Sequence, residues 1–147
     1  METITYQIGK VPAIEQLKQL YEDAEWEYYL KDLKLLEEAY VNSLEIISAW
    51  DGDQLVGVIR AVGDGLTILY IQDVLVLETH QRRGIGRELL NRMLQAYAHV
   101  RQTVLMTDNR PETVAFYDSM GFLPAAQYHG VAYVKYRLGG VEHALQV

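Results

Sequence analysis

One continuous stretch limits the folds open to this chain: an apolar run that leads through a short polar loop directly into a helical pattern. Residues 66–77 are almost all apolar, which is typical of a central strand covered on both faces. The loop holds two glycines, and an apolar stripe then repeats at helical spacing from Ile85 to Tyr97. Because the chain must cross over through this helix, we expect the next strand, Thr103–Met106, to run parallel to the first.

The remaining patterns complete a mixed α/β (α+β) order. Asp51-Gly52-Asp53 suits a tight hairpin, so the strands on either side of it are expected to pair antiparallel. The aromatic and acidic segment Tyr21–Leu30 is interpreted as a loop between two helices. The predicted order is βααβββαβαββ, with strands at 3–8, 44–50, 54–62, 66–77, 103–106, 122–128 and 131–138, and helices at 12–21, 33–42, 85–97 and 111–120. We expect a single domain over residues 1–147, with a frayed tail at 139–147.

Composition excludes several functional classes. The chain has no cysteine, so disulfide scaffolds, cysteine nucleophiles and thiolate metal sites are excluded. The formal net charge of −7 disfavours nucleic acid as a partner, because neutralising phosphates needs a basic face. Four histidines occur without paired metal-ligand spacing, and we expect no metal. No segment has the pattern of a signal peptide or a membrane span, so a cytoplasmic protein without a membrane partner is predicted.

The polar loop itself predicts an anion site. Gly84 and Gly86 permit close approach to the backbone, and unpaired N–H groups with partial positive charge collect where a helix begins. Three arginines, Arg82, Arg83 and Arg87, crowd this point in an otherwise acidic protein. Such a site is suited to bind a phosphate or pyrophosphate. The Walker pattern and the three-glycine dinucleotide fingerprint do not fit, because no Gly-Lys-Ser/Thr follows and Leu89 stands where the third glycine belongs.

Two motifs resemble those of one family. The loop Gln81-Arg-Arg-Gly-Ile-Gly86 is similar to motif A of the GCN5-related N-acetyltransferases, the GNAT family. The segment from Thr107 to Phe122, with Asn109 before a helix that carries Phe116-Tyr117 and ends in Gly-Phe, resembles the family's motif B. The resemblance extends from about Leu44 to Leu138 and is weaker over the N-terminal helices. It implies a mostly antiparallel sheet with helices on both faces and a splayed parallel pair at the coenzyme A site.

The resemblance also implies where acetyl-CoA, the acetyl donor, would bind. The backbone groups of the central strand would bond to the pantetheine arm, and the loop amides would hold the pyrophosphate. The implied binding residues are Leu75, Val76, Leu77, Gln81, Arg82, Arg83, Gly84, Ile85, Gly86, Arg87, Asn109 and Tyr117.

The same resemblance suggests the residues that handle protons. Tyr117 matches the family tyrosine beside the sulfur and would act as the general acid; packing within its helix is the alternative. Asp73 is a carboxylate inside an apolar strand and is interpreted either as the base that accepts the amine proton or as a structural residue. Glu78 and Tyr70 are weaker candidates for the base. Asn109 is expected to cap the helix that follows it.

The predicted function is direct transfer of an acetyl group from acetyl-CoA to a primary amine of a small molecule. Trp26 and Tyr29, with Tyr28 and neighbouring glutamates, are interpreted as an acceptor wall for a cation or as ordinary packing. Two alternatives stay open: an acetyltransferase for peptide or protein N-termini, and a catalytically silent acyl-CoA-binding regulatory module. Homodimerisation fits the family, although no residue in the sequence indicates it.

Overall fold

The computed structural model describes residues 3–137 and contains a five-stranded sheet in the order β1-β2-β3-β4-β5. Pairing is antiparallel from β1 to β4 and parallel between β4 and β5. The mixed, mostly antiparallel sheet with one parallel pair is therefore confirmed. The strands are β1 (Ile4–Ile8), β2 (Glu45–Asp51), β3 (Gln54–Gly63), β4 (Ile68–Val76) and β5 (Gln102–Leu105).

Helices occupy the segments between these strands. They are α1 (Ile14–Asp23), α2 (Glu27–Leu30), α3 (Leu33–Val41), α4 (Ile85–Ala96) and α5 (Pro111–Ser119). A 3-10 turn, Glu78–His80, lies between β4 and α4. The loop predicted over residues 21–30 was wrong at both ends, because α1 continues to Asp23 and Glu27–Leu30 form one short helical turn.

Helices cover both faces of the sheet, as two residues of β4 demonstrate. Asp73 faces the N-terminal helices, where it contacts Tyr21 of α1. Val76 faces the opposite side, since a Cβ added to Gly86 of α4 would lie 3.8 Å from its side chain. α4 also approaches β3 closely at Gly57, where a Cβ would be 3.2 Å from both the Leu75 carbonyl oxygen and the Leu89 side chain. The start of α4 is thereby fixed against the middle of the sheet.

The two strands predicted after residue 121 are absent from the described part of the chain. Pro124, which lacks a ladder N–H, precedes a 3-10 turn at Ala125–Tyr128, and residues 131–137 have no regular secondary structure. A strand pair was predicted around His129-Gly130, but Val131 and Tyr133 are 76% and 92% exposed. No buried face therefore stabilises a strand at these positions. Leu138 and the predicted frayed tail at 139–147 lie outside the described residues.

The chain divides into two compact units, Met1–Leu105 and Met106–Val147. The first unit contains the whole sheet, and the second contains α5. The single domain expected from the length stays a prediction. Within residues 3–137, no helix combines the length and the apolar character needed to cross a membrane.

Candidate functional site

A β-bulge divides β4 into two parts. Arg60 of β3 pairs with Asp73 and Ala61 pairs with Ile71, which leaves Gln72 without a partner on β3. The pairing of β4 with β5 ends at the same point, with Ile71 opposite Leu105. Bulges bend the strand that carries them and are common beside active sites. Among the described strands, Gln72–Val76 has no partner on the β5 side, so this stretch of β4 offers an open backbone edge.

Strand alternation decides which backbone groups face that open edge. The Leu77 N–H donates to the Val56 carbonyl oxygen at 2.9 Å, so it is directed toward β3 and taken. Successive residues of a strand point their backbone groups to opposite sides, which puts Leu75 on the same side as Leu77 and turns Val76 and Val74 toward the open edge. Of the three residues predicted to offer backbone groups to a ligand, Val76 has the matching orientation, and Val74 was missed.

The loop after β4 has two residues in the left-handed backbone region. We refer to Gln81–Arg87 as the anion loop. Gly84 is the N-cap of α4 with φ +82°, and its carbonyl accepts the Glu88 N–H at 3.0 Å. Arg82 has φ +63°, an uncommon conformation for a residue with a Cβ. These two reversals carry the chain from the 3-10 turn into α4 within a few residues.

The anion loop meets the geometric requirements of a phosphate site. The N–H groups of Ile85, Gly86 and Arg87 lie in the first turn of α4, where helical geometry provides no intrahelical acceptor. A Cβ added to Gly84 would meet no atom within 4 Å, so the approach to this backbone is open. The side chains of Arg82, Arg83 and Arg87 are exposed around it. The predicted basic cluster and glycine backbone therefore occur together at the start of a twelve-residue helix.

The segment just before the anion loop is fixed from several elements. The Glu78 N–H donates to the Asp23 carboxylate of α1 at 2.9 Å. The His80 ring contacts the carboxylate of Asp51, at the end of β2, and the hydroxyl of Thr79. The Gln81 side-chain amide donates to the Val76 carbonyl at 3.1 Å. Sequence patterns did not indicate a role for His80 or Asp51, because their contact joins residues far apart in the chain.

Asp73 lies at the centre of a buried cluster with Arg60 and three tyrosines. It is 1% exposed, and its Oδ2 accepts from Arg60 Nε at 2.8 Å and from the Tyr21 hydroxyl at 2.9 Å. Its Oδ1 accepts from the Tyr29 hydroxyl at 3.2 Å. The Tyr40 hydroxyl completes the Asp73 cluster through a 2.7 Å hydrogen bond with that of Tyr21. Both carboxylate oxygens are thus engaged, which favours the structural interpretation of Asp73 over the catalytic one.

Electrostatics inside the Asp73 cluster keep its charges paired. Burial alone would lower the pKa of Arg60, but the charge and hydrogen bond of Asp73 outweigh it, so the pKa of Arg60 is raised. Burial, followed by neighbouring Tyr40 and Asp73, raises the pKa of Tyr21 well above its usual value. The guanidinium therefore stays charged and the hydroxyl stays neutral. Arg60 was missed from the sequence, although one arginine inside the apolar strand β3 was a usable signal.

Trp26 and Tyr29 come together, but their rings pack on each other. Their ring planes are 28° apart with centroids separated by 6.0 Å, and Trp26 is 9% exposed. The Tyr29 hydroxyl also accepts from the Gln72 amide at 3.3 Å, so it connects α2 to the bulge of β4. Tyr28 is 48% exposed. Of the predicted aromatic wall, Tyr28 therefore presents the most accessible ring.

The second unit holds Tyr117 and the residues that precede α5. Burial, together with the negative charge of Asp108, raises the pKa of Tyr117 to about 12. Its ring contacts Phe116 and Phe122. The Thr107 hydroxyl is a buried polar atom without a hydrogen-bond partner among the residues that the structure describes. Asn109 is exposed and does not cap α5; Arg110 is the N-cap residue, and Asp108 accepts the Arg110 N–H at 3.0 Å.

The structure does not bring the two weaker candidates for the base, Glu78 and Tyr70, into one site. Glu78 is exposed and contributes its backbone N–H to Asp23, whereas Tyr70 is half-buried on β4. Among residues 3–137, no group of three or more His, Asp or Glu side chains is arranged to hold a metal ion.

Comparison with known proteins identifies the family. The sequence model described as the acetyltransferase (GNAT) family matches residues 11–122. A GNAT-family acetyltransferase protein from Streptococcus pneumoniae TIGR4 has a solved structure that covers 92% of this chain and 98% of its own, with 34% identity and a TM-score of 0.82. The aminoglycoside N-acetyltransferase AAC(6')-Iy, solved in complex with CoA, shares the fold at 14% identity and a TM-score of 0.69, over 94% of this chain and 97% of its own.

Curated relatives agree with this assignment over shorter stretches. The uncharacterized N-acetyltransferase ycf52-like of Prochlorococcus marinus is 28% identical over 113 residues, which are 73% of this chain and 61% of that protein. The chain spans between 33% and 63% of the lengths of the curated relatives it matches. The family match nevertheless covers most of the chain, including β4, the anion loop and α5. The chain belongs to the GNAT family of acetyltransferases.

Proposed function

We propose that this chain is an acetyl-CoA-dependent N-acetyltransferase that transfers an acetyl group directly to the primary amine of a small molecule. The observation that carries the proposal is the junction of the open edge of β4 with the left-handed N-cap of α4 at Gly84. A pyrophosphate suits the amides of the anion loop, and an extended amide-containing arm suits an unpaired strand edge. The related fold of AAC(6')-Iy was solved with CoA, which supports the same ligand here.

The backbone of β4 also fits such a donor. Val74 turns its N–H and C=O groups, and Val76 its N–H group, to the open edge of β4, where they can bond to the amides of a pantetheine arm. The Val76 carbonyl already accepts from the Gln81 amide. These groups supply orientation, whereas the anion loop supplies charge recognition.

When bound, acetyl-CoA supplies an acetyl thioester, whose carbonyl reacts with an amine. The chain must then polarise that carbonyl and protonate the departing sulfur. An N–H on the open edge of β4 can donate to the carbonyl oxygen. The resemblance to motif B implies that Tyr117 is the acid, and its raised pKa keeps the hydroxyl protonated at neutral pH. The chain has no cysteine that could take the acetyl group first, so transfer directly to the amine is the consistent route.

The acceptor is proposed to be a small cation in solution that gives its proton to water, so that the neutral amine attacks the thioester. Tyr28 presents an accessible ring, and Glu25 and Glu27 beside it are exposed carboxylates. Ring faces and negative charge together attract an ammonium group. Trp26 and Tyr29 support this surface by packing on each other, and Tyr29 also donates a hydrogen bond to Asp73. This role differs from direct contact with the acceptor.

A panel of primary amines, assayed for release of the CoA thiol, tests the proposal. We expect turnover with at least one small amine and a dependence on acetyl-CoA that saturates. Peptides with free N-termini belong in the same panel, and a preference for them would replace the small-molecule acceptor. Calorimetric binding of acetyl-CoA without turnover on any amine would instead indicate a silent acyl-CoA-binding module.

A further inference from the structure

We propose that His80 and Asp51 are positioning residues that hold the anion loop in its ligand-binding conformation. The inference rests on the proposed function, because it concerns how that site is kept in shape. We refer to Asp51, Thr79 and His80 together as the His80 bridge. It joins the end of β2 to the residues that immediately precede the anion loop.

The contacts of the His80 bridge use both nitrogens of one ring. Nε2 lies 3.0 Å from Asp51 Oδ2, and Nδ1 lies 2.8 Å from the Thr79 hydroxyl. A neutral imidazole satisfies both when Nε2–H donates to the carboxylate and Nδ1 accepts from the hydroxyl. His80 is 9% exposed, so this orientation is enclosed by the protein. The ring therefore fixes the 3-10 turn that ends at His80 against β2.

This attachment is needed because Arg82, two residues after His80, has an unfavourable backbone conformation. Arg82 holds φ +63°, which is unfavourable for a residue with a Cβ and persists only when the surrounding structure determines it. The upstream side is determined by three hydrogen bonds to other elements or residues: His80–Asp51, Asp23–Glu78 and Gln81–Val76. The downstream side is determined by Gly84 and α4. A chain fixed at both ends leaves Arg82 no freedom to relax to a right-handed conformation.

Loss of the His80 bridge would therefore lower the affinity for the ligand by changing the backbone conformation of Arg82. If the turn at Glu78–His80 can shift, Arg82 can return to negative φ, and the amides from Arg82 to Gly84 turn away from a shared anion. The expected penalty is roughly 10-fold in acetyl-CoA affinity, the size of the backbone preference that is released. His80 does not need to touch the ligand for this effect.

The test is a double-mutant cycle measured by calorimetric binding of acetyl-CoA. His80→Ala should weaken binding about 10-fold in the wild-type background. In an Arg82→Gly background the same change should weaken binding much less, because glycine adopts positive φ without a bridge to enforce it. Equal losses in the two backgrounds, or unchanged affinity of His80→Ala, would overturn the proposal.

Two further variants separate positioning from general damage to the fold. His80→Gln retains a side-chain N–H that can reach toward Asp51 and should recover part of the affinity. Asp51→Asn retains an acceptor for Nε2–H and should bind like wild type, whereas Asp51→Ala should resemble His80→Ala. Circular dichroism must show native spectra, and Asp51→Ala, whose side chain is 42% exposed, carries the test if His80→Ala does not fold. Absence of acetyl-CoA binding in the wild-type protein would instead refute the proposed function, and the positioning role would fall with it.

Discussion

The Asp73 cluster and the anion loop are built in opposite ways. Around Asp73, charged and polar side chains are buried and satisfy one another through Arg60, Tyr21 and Tyr29. In the anion loop, charged side chains are exposed, and the proposed recognition elements are backbone groups oriented by Gly84 and Arg82. The first region satisfies its carboxylate internally, whereas the second has an open approach to its backbone at Gly84. A carboxylate inside an apolar strand is therefore not by itself a sign of chemistry.

The Asp73 cluster lies directly beside the bulge in β4. Asp73 and Gln72 are adjacent, and Tyr29 contacts both side chains. The Asp73 cluster thus anchors β4 just after Ile71, the last residue that pairs with β5. The buried cluster therefore holds the strand that carries the open edge, and we expect it to do so without contributing a reactive group.

Replacing Asp73 should produce the largest loss of stability. Asp73→Asn removes the charge that pairs with buried Arg60, and breaking a buried ion pair costs about 3–5 kcal/mol in the free energy of unfolding. Chemical denaturation measures this loss. Tyr29→Phe is the matched control, since it removes one hydroxyl and leaves the ion pair, for a loss of about 1 kcal/mol.

The remaining folded fraction of Asp73→Asn distinguishes the two interpretations of this residue. If Asp73 is structural, that fraction keeps the wild-type dependence of kcat on pH. Slow turnover at neutral pH that recovers at high pH would show that Asp73 takes the proton of the amine, and the contrast drawn above would fail.

Much of this organisation could be predicted from the sequence, and the failures have physical causes. The β4–loop–α4 unit was predictable because its apolar periodicity, its glycines and its arginines are local in the chain. The Asp73 cluster was not, because it joins residues from α1, α2, α3, β3 and β4 that only the fold brings together. The strand pair predicted at 122–128 and 131–138 is absent from the described residues, because the exposed side chains of 131–137 provide no buried face.

Replacing Tyr117 tests a catalytic role, whereas replacing Asp73 tests a structural one. Tyr117→Phe keeps the ring contacts with Phe116 and Phe122 and removes only the hydroxyl. If the hydroxyl protonates the leaving sulfur, kcat should fall by roughly 10² to 10⁴ with little change in acetyl-CoA affinity or stability. This is the reverse of the pattern expected for Asp73→Asn. Wild-type turnover would assign Tyr117 to packing.

The decrease in stability at alkaline pH offers a second measurement on Tyr117. The folded-state pKa of Tyr117 is raised to about 12 by burial and by Asp108, above the usual tyrosine value near ~10. Its contribution to stability is therefore complete below about pH 10 and is lost as pH rises toward about 12. Tyr117→Phe should flatten this part of the stability curve, measured by denaturation at a series of pH values.

Gly84 tests whether the anion loop recognises its ligand through the backbone. Gly84→Val forces a branched side chain into φ +82° and places it where the approach is open, so acetyl-CoA affinity should fall by at least about tenfold. Gly121→Val is the matched control, because Gly121 has φ +90° with no atom within 4 Å of an added Cβ, outside the anion loop. Both variants should lose similar stability, but only Gly84→Val should lose affinity in calorimetry. Equal affinities would refute the placement of the pyrophosphate.

Arg83 should give the smallest effect, and its size decides how the anion loop divides recognition between backbone and side chains. Its side chain is exposed, so its attraction for a phosphate acts through water and is screened by salt. Arg83→Gln should therefore weaken acetyl-CoA binding by roughly 2- to 5-fold at low salt, with a smaller difference at ~0.5 M salt. Arg101→Gln removes an exposed charge elsewhere and should leave affinity unchanged. If Arg83→Gln instead matches the loss caused by Gly84→Val at every salt concentration, side chains dominate recognition. The anion loop would then depend on paired charges as the Asp73 cluster does, and the two regions would differ only in exposure.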